Sequence, residues 1–177
     1  MRKKDVSGIS LRLDGYDDIF SDFDPRTYGE RALSHDFLME AKRASVDKIY
    51  DGIELALLVP GKQRNAGYEI IIKKRLRKHF RKHARQLRRE KGKIIRMGLG
   101  FTGVGLILMA VGAYVLSAGM PLTLYRSFLI ILLEPAAWFF FWEGLSQMIF
   151  ESKKLREDAE FYSKMERSII RFGAHGR

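Results

Sequence analysis

The stretch 97–118, MGLGFTGVGLILMAVGAYVLSA, decides the fold. It carries no charged residue in twenty-two positions. At about 1.5 Å rise per residue, a helix of that length crosses a hydrocarbon core of about 30 Å. Gly119, Met120 and Pro121 then form a short turn, and 122–142, LTLYRSFLIILLEPAAWFFFW, adds a second apolar run interrupted by Arg126 and Glu134. The pair reads as a helical hairpin.

Charge on either side orients it. From Lys73 to Arg96 there are thirteen Lys or Arg against one acid, Glu90, a local charge of +12, so the rest of the chain carries −1 of the formal net charge of +11. Lys153, Lys154, Arg156, Lys164, Arg167 and Arg171 follow the second span, while the turn offers only Arg126 near its end. The positive-inside bias places both termini in the cytoplasm. Trp138 and Trp142 suit an aromatic belt on that side and Tyr125 suits the opposite one. A basic nucleic-acid-binding protein usually carries its charge as a patch on a folded surface, whereas here the charge abuts an apolar span, so nucleic acid is not the expected partner. The chain has no cysteine, which excludes disulfides, thiol nucleophiles and cysteine-ligated zinc. No apolar run follows the basic start Met1-Arg2-Lys3-Lys4, so a cleaved signal peptide is not expected.

Outside the spans the pattern is mixed. Residues 7–14 alternate, with Ile9, Leu11 and Leu13 on one face, and read as a half-buried strand; Ile53 to Val59, closed by Pro60-Gly61, reads as a second. Between them Ser34 is a helix N-cap, with Leu33 and Leu38 placed as a hydrophobic staple, and the helix is expected to run to about Asp47. Two strands and one helix leave unpaired sheet edges, which points to pairing with another subunit. From Ala66, with Asn65 as cap, Ile72, Leu76, Phe80, Ala84 and Leu87 make a narrow apolar stripe on a basic helix leading into the first span, with Gly92 as a place for a bend. Its part outside the bilayer rises roughly 45 Å. Leu155, Tyr162, Met165, Ile169 and Phe172 predict a matching stripe on a C-terminal helix that packs antiparallel to it.

The fold expected is therefore an α-helical membrane protein: a two-span transmembrane hairpin with long cytoplasmic helical extensions and a small N-terminal α+β (strand-helix-strand) unit. The segments are 1–62 for the α+β unit, 63–96 for the basic helix, 97–118 and 122–142 for the spans, 119–121 for the non-cytoplasmic turn, and 143–177 for the C-terminal helix.

Small residues in the first span form two series. Gly98, Gly105, Gly112 and Gly119 recur every seven residues, as do Gly103, Ala110 and Ser117, and at about 100° per residue the series lie roughly 140° apart. Two smooth faces let one helix touch two neighbours, which predicts a homo-oligomer. Glu134, followed by Pro135, lies roughly 12 Å inside the Trp142 boundary. A carboxylate at that depth must be protonated, paired or facing water, and the proline disturbs the hydrogen bonding of the preceding turn. The readings are a packing role or a pore-lining acid. Arg88, Arg89, Lys91, Lys93 and Arg96 are placed to meet anionic lipid headgroups, and Arg126 can snorkel to the outer interface. His79 and His83, at i and i+4, are half a metal site opposed by cationic neighbours. The acids Asp14, Asp17, Asp18, Asp22 and Asp24 lack the spacing of a calcium loop and predict turn formation and pairing with the basic helices. No cofactor, metal or catalytic constellation is read.

The stretches YDDIFSDFDPR at 16–26 and LLVP at 57–60, the basic helix leading into a glycine-rich span, and LLEPAAWFFFW at 132–142 resemble a family of small, uncharacterised two-span prokaryotic membrane proteins. The resemblance covers most of the chain and implies a prokaryotic cytoplasmic (inner) membrane. It carries no catalytic residue to this sequence. The function expected is a non-enzymatic, self-assembling membrane scaffold that organises itself or a cytoplasmic protein partner; the alternative is an ion- or proton-conducting pore using Glu134.

Overall fold

The structure, a computed structural model, describes residues 8–46, 53–117, 121 and 123–176. The end of the first helix at Asp47 and the turn residues Gly119 and Met120 lie outside them. The chain divides into two compact units, one of residues 1–86 and 158–177 and the other of residues 87–157.

The first unit is built on a parallel three-stranded sheet in the order β1-β2-β3, with β1 at Gly8–Arg12, β2 at Glu54–Pro60 and β3 at Ile169–His175. The alternation read in the second strand is observed, with Leu55, Leu57 and Val59 buried; in β1, shorter than the 7–14 expected, Ile9 is buried and Leu11 half-buried against the core, and Leu13, just after the strand, is buried. Helix α1, His35–Ser45, is capped as expected by Ser34, whose hydroxyl accepts from the Phe37 amide. Helix α2, Ala66–Ser117, is capped by Asn65, whose side chain accepts from the amides of Gly67 and Tyr68, and is helical through Gly92. Ile72, Leu76 and Phe80 on its predicted stripe are fully buried. Helix α5, Arg156–Arg167, packs Phe161 edge-on against Phe80, with ring centroids 6.2 Å apart, and buries Met165.

The C-terminal segment differs from expectation. The helix ends at Arg167, and residues 169–175 pair with β2 in parallel, from Ile169 opposite Glu54 to His175 opposite Pro60. Ile169 and Phe172 therefore belong to a strand, where Ile170 and Phe172 face the core and Ile169 faces out. Consequently 1–62 is not a unit by itself, and 143–177 is not one helix. The third strand pairs the second edge of β2 and enlarges the sheet, while the outer edges of β1 and β3 have no strand partner among the described residues. His175 also contacts the Leu13 carbonyl at 2.8 Å, tying the end of β3 to the residue just after β1.

A polar network at the start of α2 holds this core in place. Glu69 is buried and takes a charge-assisted hydrogen bond from Arg64 at 2.8 Å, while the Tyr16 hydroxyl donates to Glu69 and accepts from the Asn65 amide. The Arg64 hydrogen bonds hold the Glu69 carboxyl below its ordinary range, overcoming the cost of its burial. An acid in the first turn of a helix also meets the positive end of the helix dipole.

The second unit contains the rest of α2 and α3, Leu124–Ser146, followed by a π-helical turn at Gln147–Glu151 and the single turn α4, Ser152–Lys154. Two helices, Ala66–Ser117 and Leu124–Lys154, are long and apolar enough to span a membrane. Thr123 caps α3 by accepting from the Arg126 amide, and Pro135 is accommodated inside it.

Candidate functional site

Within the hairpin unit the two small-residue series have different surroundings. A Cβ added at Gly105 would lie 2.5 Å from the Phe141 nitrogen and 2.9 Å from the Ala137 carbonyl oxygen. One at Gly98 would lie 2.7 Å from the Gly144 carbonyl oxygen. Backbone meets backbone there, the close approach that only glycine permits between helices. Gly144 supplies the complementary gap on α3, since a Cβ on it would come within 2.5 Å of the Gly98 oxygen and the Thr102 nitrogen. Phe101 and Phe140 stack alongside, 5.7 Å apart. The other face is open: Gly103 has nothing within 4 Å of an added Cβ, and Ala110 and Ser117 are exposed. Gly112 departs from its series, since a Cβ there also meets nothing, and Gly119 lies outside the described residues.

Glu134 and Gly112 border the same open, mostly apolar groove of about 300 Å³, with Leu108, Ala137 and Trp138. Glu134 and Pro135 are both exposed on α3, and among the described residues Glu134 has no hydrogen-bonding or ionic partner. Arg126 does more than lie at the end of the hairpin: its guanidinium donates to the Val115 and Leu116 carbonyls. Those carbonyls belong to the last turn of α2, where backbone acceptors lack intrahelical partners, so Arg126 caps one helix from the other. The apolar-flanking cations Arg88, Arg89, Lys91, Lys93 and Arg96 are all exposed, with Arg96 also donating to the Gly92 carbonyl at 3.3 Å.

In the sheet unit the acidic stretch forms turns, as expected, but pairs with its own loop. Asp24 binds Arg26 at 2.7 Å and accepts from the Ala32 amide, Asp17 binds Arg31 at 2.6 Å, and Asp18 accepts from the Asp14 and Gly15 amides. The Arg26 guanidinium holds the Asp24 carboxyl well below the usual carboxylate range. Pairing of these acids with the cations of α2 is not observed among the described residues. The His79 and His83 rings lie 4.2 Å apart, tilted by 40°, and His83 stacks on Tyr162 at 5.0 Å. No group of three His, Cys, Asp or Glu suited to a metal occurs among the described residues.

Burial, with His83, Arg75 and Lys82 close by, pushes the His79 imidazole down to about 4 from 6.5. A depressed histidine binds its proton later in the folded than in the unfolded chain. Its effect on stability is therefore absent above about pH 6.5 and grows as a penalty while pH falls toward 4. Allowing for partial exposure, the loss should reach up to about 2 kcal/mol. Denaturant unfolding at about pH 7.5 and pH 4.5 should show a smaller acid loss for His79→Gln than for the parent; equal losses would remove His79 from the acid response.

Compared with known protein families, curated proteins and solved structures, the chain matches none. The geometry alone carries the functional reading.

Proposed function

We propose that the chain is a two-pass protein of a prokaryotic cytoplasmic membrane, with both termini on the cytoplasmic side, and that it acts non-enzymatically as a homo-oligomeric scaffold. The observation that carries this reading is the division of labour between the two small-residue faces. The Gly98–Gly105 face is consumed by α3, while on the other face, among the described residues, Gly103 has nothing within 4 Å of an added Cβ and Ala110 and Ser117 are exposed. A smooth face of this kind favours close packing of a second helix in lipid, where association rests on packing rather than on the hydrophobic effect. Insertion itself is supported by the apolar surface the hairpin leaves uncovered, including Leu106, Ile107, Ile131 and Phe139, each more than half exposed. Arg88, Arg89, Lys91, Lys93 and Arg96 then face anionic headgroups, at about 1 kcal/mol each near the surface.

A second reading, an ion- or proton-conducting path, is favoured by Glu134 alone. A carboxylate without a partner in hydrocarbon is costly, and a water-filled path or a facing subunit relieves that cost. One reconstitution experiment separates the readings. Gly103→Leu should lower the assembled mass measured by light scattering in mild detergent, while liposomes holding the parent should show no flux above protein-free controls. Flux abolished by Glu134→Gln, with mass unchanged by Gly103→Leu, would replace the scaffold by the pore.

A further inference from the structure

A concavity of about 990 Å³ in the sheet unit lies between the loop 26–31 and the first turns of α2. Its volume is at the upper end of small-molecule sites, which run from about 300 to 1,000 Å³. One wall is strongly cationic. Lys74 and Lys78 sit one helical turn apart on α2, both exposed, and neither has a carboxylate partner among the described residues. Arg75 stands between them, with its Nε directed to the Arg31 carbonyl at 3.0 Å, a neutral partner that leaves its charge uncompensated. Two acids also line the groove: Asp17 binds Arg31 at 2.6 Å, and Glu30 is exposed, so among the described residues the three cations outnumber the one unpaired carboxylate.

The groove is also lined by the aromatic rings of Tyr28 and Tyr68. Tyr68 is 47 % exposed yet held in place. Tyr16 meets its ring edge-on at 6.2 Å and Tyr28 at 5.3 Å. Tyr28 is itself stacked on Phe20 at 5.2 Å, so Tyr68 rests on a fixed aromatic cluster. A rigid ring with free surface is a platform for a planar ligand and loses little entropy on binding. The loop packs on the helix at Gly29, where an added Cβ would sit at ordinary contact distance, 3.6 Å, from the Ile71 side chain.

From Tyr68 to Lys74 the helix rises about 9 Å. We propose that this groove binds a nucleotide, with the base against Tyr68 and the phosphates at Lys74, Arg75 and Lys78. Three cations inside one turn suit a compact polyanion, because a polyphosphate concentrates its charge and presents several strong acceptors to nearby cations. An acidic peptide spreads single charges along an extended backbone and has no use for the ring platform. The proposal stands apart from the scaffold reading, since it concerns only residues of the sheet unit.

Isothermal titration of the full chain in detergent with ATP and GTP tests it, using tripolyphosphate and a glutamate octapeptide as comparison probes. At least one nucleotide should bind with a dissociation constant below about 1 mM and more tightly than either comparison probe. The double variant Lys74→Gln, Lys78→Gln should weaken nucleotide and tripolyphosphate alike, by roughly tenfold or more. Tyr68→Leu should weaken the nucleotide alone, and Tyr68→Phe, which keeps the ring and its packing, should bind within about twofold of the parent. Thermal melts identify any variant that fails to fold, and the exposed lysine pair and Tyr68→Phe preserve the core. Absence of nucleotide binding up to about 1 mM, equal affinity for tripolyphosphate, or tighter binding of the peptide would each overturn the proposal.

Discussion

Removing everything after Ser168 should abolish cooperative folding of the sheet unit. Strand β3 is paired with β2 along its whole length, from Ile169 to His175, so its loss opens one edge of the central strand. Ile170, 3 % exposed, and Phe172, set edge-on to Tyr16 at 5.7 Å, leave the core with it. Burial of two such side chains contributes about 1.5–3 kcal/mol each, before the lost ladder is considered. Against a typical total of about 5–15 kcal/mol, that decides whether a domain folds. Circular dichroism melts should lose the sheet unit's transition, and Phe172→Ala alone should cost about 3 kcal/mol or more by denaturant unfolding. A truncated chain melting within a few degrees of the parent would show that β3 is dispensable.

Gly144→Val should break the hairpin with an effect almost as large. The position offers no room: an added Cβ meets the Gly98 oxygen and the Thr102 nitrogen, both backbone atoms that no rotamer change moves. Overpacking typically costs about 1–3 kcal/mol and more where backbones must separate, so a loss of at least about 3 kcal/mol is expected. Gly103→Ala is the internal comparison, because nothing lies within 4 Å of its added methyl. That substitution should leave the hairpin intact or strengthen α2 by up to about 1 kcal/mol through helix propensity. Reversible unfolding in mixed micelles gives both values. Equal behaviour of the two variants would contradict the Gly98–Gly105–Gly144 crossing.

The two apolar helices were legible because length and uniform apolarity are local properties, readable at 97–118 without knowing any neighbour. The caps at Ser34 and Asn65 were legible for the same reason, since a cap is specified within four residues. The strand β3 was misread because Tyr162, Met165, Ile169 and Phe172 recur at three and four residues, a spacing that continues the helix of α5. The competing signals were the adjacent β-branched pair Ile169-Ile170 and the alternation that places Ile170 and Phe172 together. A parallel partner more than a hundred residues earlier in the chain leaves no local trace.

The candidate site was legible only in part. Heptad spacing identified two faces in the first span, but not that Gly112 leaves the face that packs on α3, where the groove beside Glu134 opens. Glu134 was legible as an isolated acid among apolar residues. In the sequence Arg126 reads only as a snorkelling side chain, because the carbonyls it caps belong to the other helix. The groove at Tyr68 was missed altogether: it exists only where the loop after Asp24 folds onto α2, and the basic run had hidden its two lysines among thirteen cations.

The most direct measurement is the number of chains per particle for the unaltered protein, by native mass spectrometry from two mild detergents and from lipid discs. The same closed assembly of two or more chains is expected in all three. A single chain in every medium would contradict self-assembly.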